Sequence, residues 1–278
     1  RLKFRFDTAL AIEMTKYSFP LVIAGFAGII NETVDRILLR RILFTSGNTL
    51  DTATAQVGIY SAVYKLAMLV TIFLQAFRYA AEPFFFAQQE NKKKVYNKIM
   101  SVFVAGVCAI FLLVSMNIDI FKYFIQNENY WVGLGVVPIL LLANVFLGVY
   151  YNQSIWYKLS GQTRFGAYIA IGGATITIVL NVIFIPDYGY WACAWTTLIV
   201  YAAQMLASYY LGQRYYPIKY NLRKFFLYVG TSLLIFALSK LNTVESATFH
   251  FLINNSLILV YVLMVWFFEE PTKKAEVS

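Results

Sequence analysis

The residues able to do chemistry in this sequence are few and gathered. The run INETVDR sets Asn31, Glu32, Asp35 and Arg36 side by side. Glu32 and Arg36 are i, i+4 neighbours, so on a helix they share a face and can pair. A second group follows. At about 100° per residue, Tyr60, Tyr64, Thr71, Gln75, Arg78 and Glu82 fall on one stripe of a helix. Arg78 and Glu82 are again four apart. Lys65 lies at the edge of the stripe, about nine residues or ~13 Å into its apolar segment. An ionised side chain at the middle of a bilayer costs roughly 2.5–3.5 kcal/mol on insertion scales. Such groups are retained where they line a pathway, bind a ligand or hold a structural pair. For Lys65 the two readings are contact with an anionic substrate and an ion pair with Asp35 or Glu32 on the neighbouring helix. Arg36 and Arg78 divide in the same way between a cavity wall and an interfacial salt bridge.

Other chemistries are excluded by what is missing. A single histidine, His250, and two cysteines, Cys108 and Cys193, give no zinc spacing. Both cysteines fall inside apolar stretches and read as small hydrophobes. No P-loop pattern and no paired Ser/His or Cys/His arrangement occurs. The sequence therefore predicts no enzyme, no metal and no cofactor.

The elements that position these groups follow from composition. The chain has 278 residues, of which 60% are hydrophobic and 18% aromatic. Only 13% are charged, against ~25% in a soluble domain. The mean hydropathy is +0.62. A water-soluble globule cannot hide that much apolar surface. Disordered, coiled-coil, collagen-like and disulfide-scaffold classes are excluded as well. A polytopic helical membrane protein remains. The net charge of +9 then reflects basic loops, with no soluble basic domain to hold nucleic acid.

Eight segments are long and apolar enough to span: 10–34, 56–80, 96–118, 132–156, 164–185, 190–212, 222–241 and 248–268. Their continuous apolarity favours helices over the alternating strands of a barrel. Turn-forming separators lie between them, among them SGNTLDTAT (46–54), KLSGQTR (158–164) and IPDYG (185–189). Pro20 interrupts the first span and predicts a kink or tilt. Asn144, Asn152 and Asn181 are neutral and read as interhelical hydrogen bonders. Of the 23 Lys and Arg residues, Arg36, Arg40, Arg41, Lys122 and Lys240 fall on one side of the membrane, and Lys65 falls inside a span. The remainder share the side of the termini, which predicts that both ends are cytoplasmic. The opening RLKFRFD is not a signal peptide. It reads as a basic linker within something longer.

Three stretches resemble one family. KYSFPLVIAGFAGIINETVDRILL (16–39) and GIYSAVYKLAMLVTIFLQAFRYAAEPFFFAQ (58–88) are similar to the seventh and eighth spans of the Wzx-type polysaccharide flippases, a branch of the MOP exporter superfamily. ITIVLNVIFIPDYGYWACAWTTLIVY (176–201) resembles that family's junction between spans eleven and twelve. Asn181, Pro186, Gly189, Ala192, Ala194 and Thr196 hold the pattern, with Trp191 where a small residue is more usual. The resemblance implies spans seven to fourteen of a fourteen-span transporter. It implies a six-helix lobe over 1–212, two additional helices over 213–278, and an N-terminal half as partner. It further implies export of undecaprenyl-pyrophosphate-linked oligosaccharide across a bacterial inner membrane, among membrane lipids, by alternating access around a cationic cavity. On that reading Lys65, Arg36, Arg78, Gln75 and Tyr64 meet substrate, and Glu32, Asp35 and Glu82 hold the cations when no substrate is bound. Pro20, Asn181, Pro186 and Gly189 are structural. Two other readings are a multidrug or cation exporter of the same superfamily, which the depth of Lys65 disfavours by repulsion, and a membrane polymerase or acyltransferase of polysaccharide assembly.

Overall fold

The computed structural model describes residues 7–87, 92–241 and 247–274, with side chains over 7–81, 95–241 and 248–269. Helix α1 (Thr8–Thr45) begins at Asp7, whose carboxylate accepts from the Ala9 and Leu10 amides and satisfies two donors left open at a helix start. A tight turn leads into α2 (Leu50–Ala87), where the Thr49 hydroxyl accepts from Thr52 N at 3.2 Å. Next come α3 (Lys92–Met116), the short α4 (Ile118–Phe121) and 3-10 segments at Lys122–Phe124 and Glu128–Val136. Then follow α5 (Val137–Gln153), α6 (Ile155–Leu159), α7 (Arg164–Tyr188), α8 (Tyr190–Tyr215), α9 (Leu222–Lys240) and α10 (Ala247–Lys274). The chain is all-α, and its long helices coincide with the eight expected spans. The span expected at 132–156 is divided between a 3-10 segment, α5 and α6.

Among the described residues, six helical stretches are long and apolar enough to cross a membrane: 50–81, 95–116, 128–159, 164–188, 222–240 and 248–269. The chain is a multi-pass membrane protein. Helices α1 and α8 are not among these six, and both turn polar side chains inward. Asp35 of α1 and Thr197 and Gln204 of α8 are all buried.

The expected turn at 185–189 is shorter than its composition suggested. Helix α7 runs through Pro186 to Tyr188, and the chain reverses at Gly189 with φ 54°. Proline removes one backbone donor, which a helix near its end tolerates. A side chain on Gly189 would place Cβ 2.3 Å from Gln56 Oε1, and that oxygen accepts from Tyr190 N at 3.2 Å. Gln56 thereby caps α8 from another helix, and glycine is what makes room for it. Pro20 likewise lies within α1.

Helices α1 and α7 run parallel in a fixed register. The Thr163 hydroxyl donates to Tyr17 O at 2.8 Å, and the Thr177 hydroxyl donates to Asn31 Oδ1 at 3.0 Å. Both pairs are 146 residues apart, which sets Asp35 level with Asn181. Small residues permit the close approach, since Ala27, Ala170 and Ala174 form one buried cluster. Helices α2, α5 and α8 run the other way. Asn144 Nδ2 donates to Ala67 O at 3.3 Å, and Trp156 Nε1 donates to Ser208 Oγ at 3.2 Å. Helix α9 packs on α3 and α10 packs on both. The Lys224–Glu269 ion pair at 2.8 Å joins α9 to α10, and the Tyr228 hydroxyl donates to the same Glu269 oxygen at 2.6 Å. Cys108 and Cys193 are free and buried, as expected of small hydrophobes.

Candidate functional site

A cavity of about 470 Å³ opens between α1, α2, α5, α6, α7 and α8. Along α1 it extends from Leu21 to Glu32, or about 16 Å at 1.5 Å per residue. Gly25 and Gly28 make the space by withholding side chains, and Ala24 adds only a methyl group. Its polar wall contains Asn31, Glu32, Gln75, Arg78, Tyr151, Lys158 and Gln204. Two cations and one carboxylate thus face a partly open volume between largely apolar helices, where a charge interacts more strongly than in bulk water. The Arg78 guanidinium lies 5.5 Å from the Tyr151 ring centroid and 5.7 Å from that of Tyr79, within cation–π reach. Lys158 is held at the end of α6, where the Tyr17 hydroxyl donates to its carbonyl at 3.2 Å.

A polar layer bounds the cavity toward the α1–α2 turn. Asp35 is 1% exposed. Its Oδ2 accepts from the Tyr60 hydroxyl at 2.9 Å and from the Thr197 hydroxyl at 3.4 Å. Its Oδ1 has no hydrogen-bond partner among the described residues, and neither amide atom of Asn181 has one. The expected hydrogen bonding of Asn181 across helices is therefore not seen, although the parallel register sets it level with Asp35. Beside this layer Arg36 stacks over Tyr64, with its guanidinium 4.5 Å from the ring centroid. Arg36 also donates to the Glu32 carbonyl at 2.8 Å. That main-chain bond takes the place of the expected Glu32–Arg36 carboxylate pair, and it leaves the Glu32 side chain to the cavity.

Of the residues singled out from sequence, the cavity gathers Asn31, Glu32, Gln75 and Arg78. Asp35, Arg36 and Tyr64 belong to the layer that bounds it. Lys65 does neither. It lies on the exposed face of α2, on the side of Met68 and Ile72. The side chain of Glu82 lies outside the described residues, as do segments 1–6 and 88–91 with their share of the topological charges. Sequence reasoning missed Lys158, Tyr151 and Gln204. The stretch YYNQSIWYK (150–158) offered a signal: six of its residues are Tyr, Asn, Gln or Ser at the end of an otherwise apolar span.

No family model matches the chain, and no curated protein matches it. A solved structure described as lipid II flippase MurJ in an inward closed conformation is similar to it. The TM-score is 0.58 at 15% identity, over 95% of this chain and 56% of that one. The fold is shared, and this chain spans little more than half the length of that protein.

Proposed function

We propose that this chain forms one lobe of a flippase for a lipid-linked, pyrophosphate-bearing oligosaccharide, of the Wzx type within the MOP superfamily. The observation that carries the reading is the pair Arg78 and Lys158 in an aromatic-lined cavity within an apolar bundle. A pyrophosphate concentrates negative charge. Guanidinium and ammonium donors meet it with charge-assisted hydrogen bonds. The tyrosines offer faces and hydroxyls suited to a sugar. The fold shared with a lipid II flippase supports the same reading.

On this proposal residues 1–212 form the lobe proper and 213–278 add two flanking helices. A second lobe lies opposite the exposed face of α2. Lys65 supports that arrangement. Pairing of Asp35 with Tyr60 sets Lys65 about level with Ile30 on α1, near the middle of the membrane. An ammonium facing hydrocarbon there would cost several kcal/mol, whereas a watered cleft between lobes accommodates it. The lobes then alternate between two openings, with the Asp35 layer as the seal on one side. A proton or monovalent cation taken up at the unpartnered Asp35 oxygen would neutralise that layer and loosen it. The protein sits in a bacterial inner membrane with both ends of this segment cytoplasmic.

The test is complementation in a strain lacking its oligosaccharide flippase. Arg78→Gln with Lys158→Gln abolishes surface glycan at unchanged protein level. Unchanged glycan together with altered dye efflux would contradict the reading and favour an exporter of organic cations.

A further inference from the structure

One face of α1 is left uncovered by the bundle and carries a regular pattern. Val22, Phe26, Ile29, Thr33, Ile37, Arg40 and Phe44 are all exposed and recur at steps of three or four, so they form a single stripe along the helix. The stripe is apolar up to Ile37, which is 65% exposed. Its one hydroxyl is satisfied internally, since Thr33 donates to Ile29 O at 2.7 Å. Cations bracket it: Lys16 is exposed at one end, and Arg40 and Arg41 are exposed at the other. The 24 steps from Lys16 to Arg40 cover about 36 Å at 1.5 Å of rise each. The hydrocarbon core is about 30 Å thick, and about 40–45 Å with the headgroup layers. The spacing sets both ends at headgroup level.

At the end near the α1–α2 turn, Arg36, Ile37, Arg40, Arg41, Phe44 and Leu50 enclose a shallow concavity of about 500 Å³. No carboxylate lines it. Arg36 is engaged by the Tyr64 ring and the Glu32 carbonyl, while Arg40 and Arg41 have no salt-bridge partner among the described residues. This end of the bundle is otherwise poor in Lys and Arg. Three of its five cations stand within this one patch. Arginine is also the side chain whose planar fork matches a phosphate in two-point contact.

We propose that this patch is a binding site for an anionic phospholipid of the surrounding bilayer. Arg40 and Arg41 grip the phosphate diester, and the acyl chains lie along Ile37, Ile29, Phe26 and Val22. The uncovered apolar shaft continuous with the arginines favours a bilayer lipid over a soluble phosphate, because it offers the tails a surface at the depth they occupy. The arginine patch shares no residue with the cavity of Arg78 and Lys158 and does not depend on what that cavity carries; Ile29 is the one residue of the stripe that also lines that cavity.

The test uses the purified full chain, immobilised in detergent and incubated with mixed micelles of radiolabelled phosphatidylglycerol or phosphatidylcholine. Wild-type protein retains phosphatidylglycerol in preference, and the preference falls as sodium chloride is raised to 0.5 M, since salt screens exposed charge. Arg40→Gln with Arg41→Gln lowers retained phosphatidylglycerol at least fivefold and leaves phosphatidylcholine unchanged. Lys122→Gln with Lys240→Gln, which removes the other two cations of this end, changes retention less than twofold. Arg78→Gln with Lys158→Gln leaves it unchanged, so failure here is distinguishable from failure of the transport reading. Equal retention by the Arg40/Arg41 variant, or wild-type retention indifferent to salt, overturns the proposal. So does a variant that loses only undecaprenyl pyrophosphate, which would make the patch an exit site for the carried lipid.

Discussion

The Tyr60 hydroxyl donates to Asp35 Oδ2 at 2.9 Å across the α1–α2 interface, and both residues are buried. This bond fixes the height of α2 against α1 and so decides which polar groups reach the cavity. Removing one partner of a buried hydrogen bond leaves the other desolvated, at about 1–3 kcal/mol. Tyr60→Phe is expected to lower the midpoint of thermal unfolding of the detergent-purified protein, read by helical circular dichroism. An unchanged midpoint would mean that the Thr197 contact alone suffices for Asp35 Oδ2.

Gly189 tests the junction between α7 and α8. Its φ of 54° and ψ of −133° suit glycine alone, and a Cβ would crowd Gln56. Gly189→Ala is expected to cost about 1–3 kcal/mol of stability through backbone strain together with displacement of the Gln56 cap. The same substitution in a Gln56→Ala background should cost less, because the clash is then gone and only the strain persists. Equal costs in both backgrounds would show that the crowding carries no weight.

Lys65 tests whether α2 faces a second lobe across water. Lys65→Cys is expected to react with a membrane-impermeant thiol reagent in intact membranes, and Ile72→Cys on the same exposed face reports how far the cleft extends. The background is low because Cys108 and Cys193 are buried, at 1% and 0% exposure. No labelling at position 65 under any condition would place that face in lipid.

Much of this fold was legible in the sequence, because a membrane span is written in about 20 consecutive apolar residues. The helix boundaries near Gly161 and Gly189 followed from turn chemistry, and Glu32, Gln75 and Arg78 stood out as polar groups in apolar runs. What could not be read was which helix lies beside which. The parallel register that joins Tyr17 to Thr163 and Asn31 to Thr177 is a tertiary fact. It is also what brings Lys158, assigned from sequence to a cytoplasmic turn, onto the wall that holds Arg78. Lys65 shows the converse. Its depth along α2 was evident from sequence, but its direction was misjudged by the width of a stripe, since it stands beside the polar face and outside the cavity.

The central claim is that Arg78 and Lys158 receive a pyrophosphate headgroup. It is tested most directly by equilibrium binding of undecaprenyl pyrophosphate to the purified protein, with undecaprenol as the uncharged comparison. A hydrogen bond to a charged group contributes about 1.5–3 kcal/mol, so each of Arg78→Gln and Lys158→Gln should weaken pyrophosphate binding about 10- to 100-fold. Undecaprenol binding should not change, and Arg40→Gln with Arg41→Gln should leave both affinities intact. Pyrophosphate and undecaprenol binding with equal affinity, or an Arg78/Lys158 variant that binds pyrophosphate as tightly as the wild type, would contradict the account.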